Sequence, residues 1–172
     1  MFIKREMASL LTKYASFFPV VAVLGPRQSG KTTLVKELFK AYHYINLENL
    51  DVLELAKEDP RGFLERLLVY PGVIIDEFQN SPDLLSYLQV LVDREKKPGF
   101  FILTGSHNFL MNQAISQSLA GRVGILTLLP LSLKEIRDAD LQVNLSEEAI
   151  YRGCYPRIFE NNALEPEYIY PS

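Results

Sequence analysis

The stretch that most restricts this chain is Gly25-Pro26-Arg27-Gln28-Ser29-Gly30-Lys31-Thr32-Thr33. It matches a glycine, four free positions, a second glycine, a lysine and a hydroxyl residue, the signature of a phosphate-binding loop. An apolar run, Phe17 to Leu24, leads into it, and Leu34, Val35, Leu38, Phe39 and Tyr42 behind it share one helical face. That strand-loop-helix context separates the motif from a Gly/Ser-rich turn that carries a lysine by accident. Gly25 and Gly30 are expected to let the backbone turn its N–H groups inward, forming an anion nest whose charge adds to the dipole of the helix opening near Lys31. The Lys31 ammonium is expected to reach the β- and γ-phosphates, and the Thr32 hydroxyl to bind the Mg²⁺ that bridges them.

A second acidic segment suits such a loop. Three β-branched residues, Val73, Ile74 and Ile75, lie between Pro71-Gly72 and Asp76-Glu77, which reads as a strand buried on both faces. At its carboxyl end Asp76 can hold Mg²⁺ while Glu77 orients and deprotonates an attacking water. A strand end followed by a polar loop is the plainer alternative, and the position downstream of the phosphate loop, with a strand and a helix between, favours the Walker B reading. Another buried strand, Phe100 to Ser106, stops at two hydroxyl residues around Gly105. Ser106, or Thr104 as second choice, is expected to sense the γ-phosphate unless the Thr-Gly-Ser turn satisfies its own backbone. Arg122 follows a helical stripe of Leu110, Met111, Ala114, Ile115 and Leu119 that Gly121 stops. It is expected either at the rim of the cleft, neutralising charge on the transferred phosphoryl group, or as a cap on the helix dipole.

The remaining pattern is alternating helix and strand. Glu6 to Tyr14 reads as a short helix with Met7, Leu10, Leu11 and Tyr14 on one side, which packs either beside a base or over the sheet. Tyr44 to Leu47 reads as a strand. Asp59-Pro60 and Ser81-Pro82-Asp83 carry cap-plus-proline signatures, the latter opening a helix with Leu84, Leu85, Leu88, Leu91 and Val92 buried. With 172 residues, 48% hydrophobic and 23% charged, the chain suits one globular α/β domain. A net charge of −3 provides no overall electrostatic footprint for nucleic acid. One cysteine and two histidines argue against a disulfide framework or a zinc site and for a reducing, cytoplasmic setting. Phe100 to Gly121, a long stretch free of Lys, Arg, Asp and Glu, is too polar for a membrane span.

Together these motifs resemble the AAA-type P-loop ATPases, and more closely the bacterial and archaeal AAA-domain ATP-binding proteins that carry an uncharacterised C-terminal domain. The resemblance rests on Gly25 to Thr33, Gly72 to Glu77, Leu103 to Ser106, Ser118 to Arg122, Leu128 to Glu135 and Gly153 to Arg157. It implies a three-layer P-loop NTPase fold, a parallel five-stranded sheet of order 5-1-4-3-2 between helices. It also implies ATP and Mg²⁺ as ligands, Asp76 and Glu77 as the Walker B pair, Ser106 or Thr104 as sensor, and Arg122 where an arginine finger is found. Residues 1–160 are expected to form the ATPase domain, and 161–172 a linker or the shortened start of a C-terminal domain. Arg157 is a weaker candidate for sensing nucleotide, because no ordinary lid helix follows the last strand. The activity expected is slow Mg²⁺-dependent hydrolysis of ATP that drives or gates an unidentified protein partner, with homo-oligomers possible. The alternative is a nucleotide-dependent switch or scaffold with negligible hydrolysis. A small-molecule kinase fits less well, since the glutamate beside Asp76 activates water and no arginine-rich lid segment is present.

Overall fold

A computed structural model of the chain describes residues 2–106, 109–141 and 153–160; within the helix Phe109–Ser118 it describes side chains from residue 113 onward. Five strands form one parallel sheet: β1 (Val20–Gly25), β2 (His43–Asn46), β3 (Val73–Asp76), β4 (Phe101–Ser106) and β5 (Val123–Thr127). Their order is β2-β3-β4-β1-β5, which is the expected order read from the other edge. The layering follows from side-chain alternation along strands of period two. Val21, Val23, Ile74 and Ile102 project to one face and pack against Leu11 of α1 (Met7–Ala15) and Leu34 and Val35 of α2 (Lys31–Leu38). Val20, Ala22, Leu24, Val73, Ile75, Phe101 and Leu103 project to the other. There they meet α3 (Leu50–Glu58), α4 (Pro60–Arg66), α5 (Leu84–Glu95) and α6 (Phe109–Ser118). Each fully buried aliphatic side chain contributes about 1.5–3 kcal/mol of transfer free energy, so the two faces of the central strands are the main source of stability.

Several expected details differ. Leu10 is exposed; the buried side of α1 is built from Leu11 with Met7, Ala8 and Tyr14, and it covers the sheet. Phe39 and Tyr42 lie beyond the end of α2 but pack on the same core. The Asp59 cap forms as expected, accepting from the Gly62 N–H at 2.8 Å. The Ser81 cap does not: α5 begins at Leu84 with no side-chain cap, and the Ser81 carbonyl accepts the Leu84 N–H instead. Its stripe of Leu84, Leu85, Leu88, Leu91 and Val92 is nonetheless buried throughout. Of the stripe expected behind β4, Ile115 and Leu119 are buried and Ala114 packs beside them, while Leu110 and Met111 lie outside the described side chains. Helix α3 had no counterpart in the sequence reading.

After β5 the chain turns back over the carboxyl ends of the strands. The short helices α7 (Leu133–Asp138) and α8 (Pro156–Glu160) enclose a satellite cluster of Ile3, Leu131 and Ile136, with Leu141, Cys154 and Phe159 around it. A buried ion pair joins the pieces. Arg5 Nε stands 3.1 Å from Glu135 Oε1, and its other nitrogens donate to the carbonyls of Ser29, Leu129 and Pro130. Glu135 in turn completes a capping box with Ser132 and accepts the Glu6 N–H. Among the described residues, no helix is long and apolar enough to cross a membrane.

Candidate active site

In an open parallel sheet, ligands sit beyond the carboxyl ends of the strands where successive connections diverge to opposite faces. Here β1 leads to α2 on one face, while β3 and β4 lead to α5 and α6 on the other, so the crevice opens where β1, β4 and β3 end. The register places Gly25 beside Ser106 and Ile75 beside Leu103, which sets the phosphate loop, the end of β4 and Asp76 in a row. The cleft above them is lined by Arg27, Gln28, Gly30, Lys31, Thr32, Thr33, Glu48, Glu77 and Arg157.

Loop conformation departs from the simple expectation at its first glycine. Positive φ occurs at Gln28 (63°) and Gly30 (91°), not at Gly25. Gly25 is required for space: a Cβ there would overlap the Leu128 carbonyl oxygen, at the point where Leu128 donates its N–H to Leu24. Lys31 is buried, and its Nζ donates to the carbonyls of Gly25 (3.0 Å) and Pro26 (2.8 Å). Burial holds this ammonium below the ordinary lysine pKa, with Glu77 and Asp76 pulling it back up. Ser29 Oγ and Ser106 Oγ are both buried with no hydrogen-bond partner among the described residues. Buried hydroxyls are seldom left unpaired, and two of them around a nest of N–H groups fit a site shaped for an anion.

Asp76 collects hydroxyl donors. Thr32 Oγ1 and Tyr44 Oη donate to Oδ2 at 2.8 and 2.7 Å; Thr104 Oγ1 donates to Oδ1, which also accepts the Glu77 N–H at 3.2 Å. Thr32 and Asp76 therefore stand as a hydroxyl and a carboxylate oxygen side by side, the all-oxygen donor set that Mg²⁺ prefers. Thr104 is committed to Asp76, whereas the Ser106 hydroxyl keeps its hydrogen-bonding capacity. Glu77 sits on left-handed backbone (φ 53°), a conformation costing a non-glycine residue about 1–3 kcal/mol and concentrated at functional sites. Gln79 Nε2 donates to its Oε2.

Two of these residues, Tyr44 and Gln79, were missed by the sequence reading. Tyr44 lies within β2, with Lys36 Nζ 3.3 Å from its ring centroid; burial first, then the bond to Asp76, pushes its phenol pKa far up. No local pattern announces such a partner, because the contacts join different strands.

Arg122 is not at the rim of the cleft in its own chain. It precedes β5, and its carbonyl accepts the Val20 N–H at the start of β1, so it occupies the amino end of the sheet. Its guanidinium pairs with Asp93 (Nη2–Oδ2, 2.8 Å) and donates to the Ala120 carbonyl, which is the helix-capping alternative. Arg157, at the start of α8, does line the cleft.

Comparison with known proteins agrees with this geometry. Residues 18–137 match the model of the family described as "AAA domain". The uncharacterized protein Rv2008c of Mycobacterium tuberculosis is 39% identical over 137 residues, covering 77% of this chain, as is the protein Mb2031c of Mycobacterium bovis. The chain spans about 30% of the length of these curated relatives. Among solved structures, a Walker-type ATPase of Pyrococcus abyssi superposes with a TM-score of 0.62 at 17% identity, covering 92% of this chain and 65% of that one. DnaA from Aquifex aeolicus, bound to AMPPCP, gives 0.57 at 15% identity, covering 92% and 60% respectively. These structural likenesses speak for the fold, and with the family match and the arrangement of loop, acids and strands they lead to one assignment: the chain belongs to the AAA domain family, as an AAA-type P-loop ATPase domain.

Proposed function

We propose that this chain binds ATP with Mg²⁺ and hydrolyses it slowly to ADP and phosphate, the nucleotide state gating contact with a protein partner. The observation that carries the reading is the 2.8 Å bond between Thr32 of the phosphate loop and Asp76 of β3, which brings the two halves of a nucleotide-metal site together. Thr32 and Asp76 would hold Mg²⁺, which would supply positive charge to offset that of the phosphates. Lys31, now folded onto loop carbonyls, would exchange those two acceptors for phosphate oxygens. Glu77 would take a proton from water as the water oxygen bonds to the γ-phosphorus; the bond from that phosphorus to the β,γ-bridging oxygen would break, and the oxygen would leave on ADP with the electron pair. Ser106, or Thr104 through Asp76, would register the γ-phosphate.

The test is phosphate release by the purified chain beside Lys31→Ala and Glu77→Gln. Release by the wild type that both substitutions abolish is the expected result; equal release by all three would exclude specific hydrolysis. The location of Arg122 favours a second reading, a nucleotide-loaded switch with negligible turnover, because Arg122 stands at the amino end of the sheet, away from its own chain's cleft. Calorimetry showing tight ATP binding alongside undetectable release would select it.

A further inference from the structure

Gln79, in the turn after β3, links that turn to the tip of β4 at the cleft. Its Nε2 donates to Glu77 Oε2, and its Oε1 accepts the main-chain N–H of Ser106 at 3.2 Å, at the tip of β4. The tip of β4 is shaped around it. A Cβ at Gly105 would stand 2.5 Å from Gln79 Oε1, while the next nearest atoms lie at 3.7 and 3.8 Å. A carboxamide offers a donor at one corner and an acceptor at the other, so it can link a carboxylate to a peptide N–H; a carboxylate in its place has no donor to give. Among the described residues, no other hydrogen bond restrains the Glu77 carboxylate.

We propose that Gln79 is the positioning residue for Glu77, tying the carboxylate that activates water to the tip of β4. This deepens the hydrolytic reading above and rests on it. Ser106 lies beside Gly25 in the sheet register, so the link connects the phosphate loop, the strand tip bearing the Ser106 hydroxyl, and the base through main-chain and side-chain contacts alone. Strands β3 and β4 are paired through Ile75 and Leu103 and joined by the Thr104–Asp76 bond; beyond those contacts the Gln79 side chain makes Glu77 and Ser106 keep a common position. Its action is on orientation, so it bears on the chemical step and leaves nucleotide binding to the loop.

Two routes break the tie. Gln79→Ala removes the carboxamide, and Gly105→Ala pushes it aside with a methyl group whose sole close neighbour is that flexible side-chain end. Supporting outcomes are a fall in kcat of about ten- to a hundredfold in each variant, KM for ATP within twofold of wild type, thermal midpoints close to wild type, and a double variant no slower than Gln79→Ala. Undiminished kcat in Gln79→Ala, or a loss expressed in KM alone, would overturn the proposal. A readout without turnover accompanies these assays. In the ¹⁵N-labelled, nucleotide-free chain, Glu77→Ala should shift both the Gln79 carboxamide and the Ser106 amide resonances, and the Ser106 response should vanish in a Gln79→Ala background. A Ser106 amide that ignores Glu77→Ala, or still responds without Gln79, would sink the link. Should the wild type release no phosphate, hydrolysis as the function fails, and the resonance experiment alone decides whether the tie exists.

Discussion

Tyr44 of β2 and Thr32 of α2 donate to the same oxygen of Asp76, at 2.7 and 2.8 Å. The carboxylate is buried, so each hydroxyl offsets part of the cost of taking a charge out of water. Hydrogen bonds to charged groups are worth about 1.5–3 kcal/mol each. Tyr44→Phe keeps the ring and the Lys36 contact while deleting one donor. It should lower unfolding free energy by about that amount in urea titrations, and an unchanged midpoint would show that water replaces the phenol without cost.

Arg5 and Glu135 make the second buried charge cluster, each about 6% exposed at the side chain. Removing one partner of a buried pair leaves the other uncompensated, at a cost of about 3–5 kcal/mol. Arg5→Ala should therefore destabilise by that order in chemical denaturation. It should also weaken nucleotide binding, since the guanidinium holds the Ser29 carbonyl from behind the phosphate loop at 2.7 Å. Arg5→Lys should restore little, because a point ammonium cannot serve Glu135 and three carbonyls at once.

The contrast between these clusters and the motif residues shows what a linear reading can reach. The phosphate loop, β3 and the α5 stripe are local patterns: each is recognisable because the residues that act together are neighbours in the chain or one helical turn apart. Tyr44, Gln79 and Arg5 act through partners on other elements, and the side chains themselves fit a helix, a turn or a solvated terminus equally well. Helix α3 escaped for another reason: only Ala56 is fully buried while Leu50 and Leu55 are exposed, so its apolar residues do not trace a single inward face. For Arg122 the order of the elements decides between the rim and the helix cap. In an all-parallel sheet a residue preceding a strand stands at the amino end, opposite the ligand crevice, whatever helix it follows.

Lys31 makes pH a probe of the loop. Its folded-state pKa is lowered by burial, against about 10.4 for an unfolded lysine. Between the two values the unfolded chain binds more protons, so stability rises with pH across that window; below it the cost of the buried ammonium is present in full, and above it that cost is gone. Relative to Lys31→Met, which has no titrating group here, the wild type should gain stability as pH climbs through the alkaline range. Nucleotide affinity should move the opposite way and fall before an ordinary lysine would deprotonate. Parallel unfolding curves for both proteins at every pH would contradict the shift.

Arg122 leads to an experiment on assembly. Its partner Asp93 lies on the outer surface of α5, both groups are solvent-exposed, and pairs of this kind add little to stability. Arg122→Ala should melt with the wild type. If the guanidinium serves a nucleotide site at all, that site belongs to a second copy of the chain, because its own lies at the other end of the sheet. Wild-type release per chain should then rise with protein concentration, and that of Arg122→Ala should stay flat. Mixing Arg122→Ala, whose loop is intact, with Lys31→Ala, whose arginine is intact, should restore hydrolysis that neither shows alone. A mixture no more active than its components, with wild-type turnover independent of concentration, would leave Arg122 as a cap on α6 and nothing more.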